Sequence, residues 1–266
     1  MNRIDTCLNK LHAAKRTALV PFVTAGDPAI ESTVPVMHAL VAAGADVIEL
    51  GMPFSDPMAD GPTIQQSSER ALARGVGVAT VLRMVADFRQ TDTETPVVLM
   101  GYLNPVEIHG VEAFVREAAE AGVDGLLLVD SPPEESEELG ALLEAHGLHQ
   151  IQLASPTTSD DRLRLLMNSS RGYLYYVSLS GVTGAGTLDT ASVKSRIDAI
   201  RDIGDLPVAV GFGVKDADSA AAIGAFADGV VIGSALVAAL NEAGPNGAAD
   251  AARDFLAPIR KALDAG

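Results

Sequence analysis

Short runs of apolar, β-favouring residues alternate along this chain with stretches of helical periodicity. The apolar runs cover Ala18–Ala25, Ala45–Gly51, Pro96–Tyr102, Gly125–Asp130, His149–Ser155, Tyr173–Ser178, Pro207–Gly213 and Gly229–Ile232. Most are bounded by Gly, Pro, Asp or Asn. Their near-continuous apolarity suits strands buried on both faces. Helical stretches lie between them, among them Val111–Ala121, Glu134–Ala145, Ala191–Arg201 and Asp216–Ala227. Pro132 and Pro133 stand before Glu134, Glu135, Glu137 and Glu138, a proline-then-acid order that marks a helix start. Ile4, Leu8 and Leu11 recur at helical spacing ahead of the first strand and predict a short N-terminal capping helix. Eight strand–helix units predict a parallel sheet closed into a single (β/α)8 barrel, one domain over residues 1–266. An open doubly wound sheet would place a glycine-rich fingerprint after the first strand, where this chain reads TAGDP.

Composition narrows the class. The 266 residues are 48% hydrophobic and 20% charged, enough apolar material for a sizeable core. The net charge of -16 repels phosphate backbones and anionic lipid, which argues against nucleic-acid and membrane-surface roles. Cys7 is the lone cysteine, so no internal disulfide forms and a reducing compartment, the cytoplasm, is expected. No run approaches the length of a membrane span.

Barrel enzymes of this kind work at the C-terminal ends of their strands. On the second predicted strand, Ile48 and Leu50 suit the outer face, so Glu49 points into the barrel near its mouth. A carboxylate in an apolar interior is paired, protonated or functional. No Lys or Arg stands at a predicted strand end to pair with it. A long loop follows, GMPFSDPMADGP, stiffened by prolines and carrying Asp56 and Asp60. These two aspartates serve equally well as turn formers or as a second carboxylate beside Glu49. After the sixth strand comes SGVTGAG, the seventh ends GFG, and the eighth is followed by Gly233-Ser234. Glycines at successive strand ends beside a helix N-terminus describe a phosphate site, because a side chain would block the approach of backbone N–H groups.

Other chemistries lack their residues. His12, His38, His109, His146 and His149 avoid the C-terminal strand ends, and His146 and His149 flank the entrance of the fifth strand, the stability face. Lys215 sits beside Asp216 at a solvated helix start, away from any Schiff-base position. What remains is acid–base work by carboxylates on a phosphorylated small molecule.

The segments LGMPFSDPMADGPTIQ, GYLNP, SGVTGAG, GFGV and IGSALV resemble the α subunits of tryptophan synthase, in order and at that family's spacing. The resemblance runs from PFVTAGDP near residue 21 to about residue 236. It implies a retro-aldol cleavage of indole-3-glycerol phosphate to indole and glyceraldehyde 3-phosphate, without metal or organic cofactor. It also implies an α2β2 heterotetramer whose β subunit carries pyridoxal phosphate. Glu49 matches the family's general acid/base, Asp60 the carboxylate facing the indole nitrogen, and Tyr175 the neighbouring tyrosine. Phe22, Met100, Leu127 and Val231 match walls of the indole pocket, with Met100 in place of the commoner leucine, and Phe212 is a further substrate-binding position. Thr183 and Gly184 match the loop that closes on substrate, and Gly184, Gly213, Gly233 and Ser234 the phosphate-binding positions. Pro53, Asp56, Pro57, Asn104 and Pro132 match the partner-facing surface. Two departures stand out: Ser178-Leu179-Ser180 lacks a basic residue common before the glycine loop, and Ser131 replaces a bulkier apolar residue.

Overall fold

The computed structural model describes residues 2–178, 190–211 and 213–265. Its strands are β1 (Ala18–Thr24), β2 (Ile48–Gly51), β3 (Val97–Gly101), β4 (Gly125–Leu128), β5 (His149–Gln150), β6 (Gln152–Ala154), β7 (Leu174–Val177), β8 (Val208–Gly211) and β9 (Gly229–Ile232). The helices are α1 (Arg3–Ala13), α2 (Thr33–Ala42), α3 (Pro62–Ala73), α4 (Val78–Phe88), α5 (Leu103–His109), α6 (Val111–Ala121), α7 (Glu137–Ala145), α8 (Asp160–Ser169), α9 (Thr190–Arg201), α10 (Ala217–Gly224) and α11 (Ser234–Leu263). Helix α11 breaks at Gly244, whose φ of 67° precedes Pro245.

Every strand pair is parallel, and the order is β5-β4-β3-β2-β1-β9-β8-β7-β6. Because β5 and β6 flank a single residue, Ile151, the two ends of that order meet and the barrel closes. The fifth predicted strand is therefore two short strands. The break has a local cause: the Ile151 N–H still donates to Leu126 O on β4, at 2.9 Å, while the Gln152 N–H turns to the Ser170 hydroxyl, at 3.2 Å. Residue 150 thus belongs to the β4 ladder and residue 152 to the β7 ladder.

Two apolar layers follow from the strand alternation. Ile48 and Leu50 join the outer core between sheet and helices, with Leu99, Leu126 and Leu256. Val20, Val47, Val98, Leu127, Tyr173, Tyr175 and Val231 fill the interior. Helix α1 plugs the N-terminal end as its spacing predicts. Ile4 and Leu11 are buried in the interior cluster, with Cys7 and Leu8 packed against it. Gly125 and Gly172 make room for Ile4: a Cβ on either would stand 3.0 or 2.8 Å from its side chain. His149 lies at this end and its Nε2 bonds Asp5 at 2.8 Å, the structural role its position suggests. Helix α7 begins at Glu137, later than the expected Glu134. Residues 132–135 instead form a turn closed by the Glu135 N–H on Pro132 O, and the hydroxyl of Ser136, the residue before the helix, is held by Gln152. Helix α10 begins on a capping box between Asp216 and Ser219, which leaves Lys215 exposed at a helix start.

Candidate active site

Register sets the depth of the acid. Phe22 on β1 pairs with Glu49 on β2, which pairs with Val98 on β3, so Glu49 stands inside the barrel beneath its C-terminal mouth. It is fully buried. Its Oε1 accepts a 2.8 Å hydrogen bond from the Tyr173 hydroxyl, and its Oε2 has no partner. Burial pushes this carboxyl up to about 8, and the Tyr173 bond pulls weakly the other way. A neutral acid at pH 7, with one oxygen anchored and one free, is poised to deliver a proton.

Asp60 hangs over the same space from the loop between β2 and α3. It lines the cavity at the barrel mouth with Phe22, Gly61, Ile64, Met100, Tyr175, Gly213, Val214, Val231, Gly233 and Ser234. Burial raises its carboxyl to about 6, opposed by a hydrogen bond from Tyr102. Burial thereby raises two carboxyls at this end of the barrel to different degrees, leaving Glu49 neutral and Asp60 ionised near pH 7. Tyr175 is buried between them, and burial with the charges of Glu49 and Asp60 drives its phenol well above the ordinary range. Gly211 creates the space for that ring, since a Cβ there would meet the Tyr175 hydroxyl at 2.1 Å.

Also lining the cavity, Gly213 adopts a left-handed φ of 81°, and Gly233 precedes the first turn of α11 without a side-chain cap. The first N–H groups of α11 are therefore open to an anion beside Ser234. Leu127 pairs with Met100 and lies fully buried in the interior cluster, outside the residues that line the cavity. Thr183, Gly184 and Phe212 lie outside the described residues.

The exposed Asn104 and the buried Pro53 line a groove of about 620 Å³ with Phe54 and Ile108. Asp56 is exposed and its carboxylate accepts from the Ser55 hydroxyl at 2.6 Å. Pro57 and Pro132 are half-buried. Ile108 and Met58, at 80% and 87% exposure, are the most exposed large apolar side chains on the described surface. Another groove, of about 470 Å³, opens between α7 and α8, remote from these carboxylates, so size does not locate the site. Among the described residues, no three His, Cys, Asp or Glu side chains converge to hold a metal ion.

A family profile for the tryptophan synthase alpha chain matches residues 8–262. The chain belongs to the tryptophan synthase α family. It is 62% identical over 266 residues to the tryptophan synthase alpha chain of Xanthomonas euvesicatoria pv. vesicatoria, covering 99% of each. The crystal structure of tryptophan synthase subunit alpha from Legionella pneumophila str. Paris superposes with a TM-score of 0.94 at 47% identity, over 100% of both chains. Tryptophan synthase from M. tuberculosis in an aminoacrylate-bound form gives 0.88 at 34% identity, over 99% of this chain and 100% of that one. The barrel expected from alternation is thus the tryptophan synthase α barrel, and the chain is a lyase of tryptophan biosynthesis. α chains of this family hold no cofactor; pyridoxal phosphate belongs to the β chain.

Sequence reasoning missed Tyr173 and Tyr102. Tyr173 lies two residues before Tyr175, so strand alternation puts both on one face, and that signal was available. Tyr102 closes the third predicted strand, and nothing local to it announces that its hydroxyl meets the Asp60 loop.

Proposed function

We propose that this chain cleaves indole-3-glycerol phosphate to indole and glyceraldehyde 3-phosphate and passes the indole to a pyridoxal-phosphate β subunit in an α2β2 assembly. The carrying observation is the buried Glu49, with Oε1 held by Tyr173 and Oε2 free, beneath the cavity that Asp60 and Tyr175 line. Carbon–carbon cleavage needs the indole to leave from a ring-protonated form. Protonated Glu49 gives its proton to the ring carbon bearing the glycerol chain. The positive charge then delocalised onto the ring nitrogen is met by ionised Asp60. The Glu49 carboxylate, steadied by the Tyr173 hydroxyl, next takes the proton of the adjacent glycerol hydroxyl. That oxygen forms the aldehyde C=O, and the electrons of the breaking carbon–carbon bond return to the ring. Glu49 ends protonated, as it began, so no net proton is consumed.

Phe22, Met100 and Val231 supply apolar wall for the indole, Leu127 backs it, and Gly213, Gly233 and Ser234 receive the phosphate. Thr183, Gly184 and Phe212 are assigned to the substrate on their sequence motif. Pro53, Asp56, Pro57, Asn104 and Pro132 are assigned to the partner face, supported by the exposed Ile108 in the groove and the exposed Met58 on the loop that carries Asp56 and Pro57. We place the enzyme in the cytoplasm, as one barrel domain over residues 1–266. No helix among the described residues is long and apolar enough to cross a membrane.

The test is indole release from indole-3-glycerol phosphate by the purified chain, with and without a tryptophan synthase β subunit. Slow release that rises strongly with the partner is expected. No indole in either condition overturns the proposal.

A further inference from the structure

We propose that Tyr102 is a positioning residue that holds Asp60 over the substrate and ties it to the partner-facing groove through Phe54. The inference rests on the reading of Asp60 as the charge-stabilising carboxylate. Tyr102 follows β3 directly and is 3% exposed. Its hydroxyl accepts the N–H of Ala59, the residue before Asp60, at 3.0 Å. With one lone pair so used, its proton is free to donate to the Asp60 carboxylate beside it. Its ring packs on Phe54, centroids 5.2 Å apart and planes tilted by 35°. Phe54 faces both ways: it lines the surface groove with Pro53, Asn104 and Ile108, and the inner chamber with Tyr102 and Asp60.

The loop has a second clamp of different character. The Gln65 amide donates to Asp60 O at 2.8 Å and to Pro57 O at 3.4 Å. That clamp grips backbone carbonyls and is indifferent to the charge of Asp60. Tyr102 instead lines the inner chamber beside the carboxylate, so a bond from its hydroxyl strengthens when Asp60 is ionised. The other titratable groups facing this pair are Tyr175 on β7 and Asp130 after β4. Neither stabilises the ionised carboxylate: Tyr175 stays neutral, and Asp130, already accepting from the Leu103 N–H, is itself an acid.

The variant is Tyr102→Phe in the full chain, which keeps the ring against Phe54 and removes the hydroxyl. The readout is kcat/KM for indole-3-glycerol phosphate cleavage between pH 5 and 9, with and without the β subunit, beside wild type and Asp60→Asn. Loss of the bond to the ionised form moves the acid limb up by about one pH unit. The deficit is therefore about 10-fold at pH 5.5 and small at pH 8. Stimulation by the β subunit also falls severalfold. A uniform loss at every pH, or a profile and stimulation matching wild type, overturns the role of Tyr102 and leaves the proposed reaction standing. A wild-type chain that releases no indole, or an Asp60→Asn variant that retains the wild-type acid limb, overturns the reading on which this one rests.

Discussion

Glu49→Gln abolishes indole release, with a loss of about 10³-fold or more, because the reaction loses its proton donor and acceptor together. Glutamine keeps the shape of the side chain, and its amide oxygen still accepts from Tyr173. Substrate-analogue affinity is expected to persist, since Gly213, Gly233 and Ser234, which line the cavity, are untouched by the substitution. The same substitution makes the protein more stable. The native Glu49 carboxyl titrates near 8 and an ordinary glutamate near 4.5. Between those values the unfolded chain has released its proton and the native chain has not, so the wild type loses stability as pH rises through that window. Glutamine has nothing to titrate. The variant's advantage is therefore absent near pH 4 and grows toward pH 8, to on the order of 2–3 kcal/mol, discounted for the amide's own unpaired N–H groups. Urea unfolding of both proteins at pH 5 and pH 8 reads this directly. Activity and stability moving in opposite directions is the signature of a carboxyl buried for function rather than for folding.

Gly211→Ala is expected to cost about 100-fold in kcat/KM and roughly 1–3 kcal/mol of stability. The added methyl would stand 2.1 Å from the Tyr175 hydroxyl and 2.5 Å from its ring. Something must move. Gly211 is fixed in the ladder with Val177, so the tyrosine ring is expected to give way, and Tyr175 lines the cavity proposed for the substrate. The damage falls mainly on turnover and substrate binding, measured by steady-state kinetics, while circular dichroism reports a folded barrel. An alanine variant with wild-type kinetics would show that Tyr175 has room elsewhere and does not set the cavity's shape.

How much of this was legible beforehand depends on the range of the interaction. Strand alternation placed Glu49 inward and Ile48 and Leu50 outward, because the pleat is a local property. The helical spacing of Ile4, Leu8 and Leu11 likewise identified the plug at the barrel's base. The break at Ile151 was not legible. It depends on the Ser170 hydroxyl taking the place of a strand partner 18 residues away. Proline-then-acid placed a helix start at Glu134, but the turn closed on Pro132 O consumed those residues first. The pairing of Tyr173 with Glu49 spans 124 residues of sequence, and alternation alone does not say who meets whom across a barrel. Leu127, expected on the indole wall, is the register neighbour of Met100 and is fully buried in the barrel interior. The dual nature of Asp56 and Asp60 resolves in space: Asp56 faces solvent beside Ser55, and Asp60 turns inward under Tyr102.

The central claim is that Glu49 starts protonated while Asp60 starts ionised. The pH dependence of kcat/KM for indole-3-glycerol phosphate cleavage, measured on the chain saturated with β subunit, tests it most directly. A bell is expected, with an acid limb near 6 from Asp60 and a basic limb near 8 from Glu49. A rate that keeps climbing through pH 8 to a plateau would mean that Glu49 starts as the carboxylate, and would contradict the account.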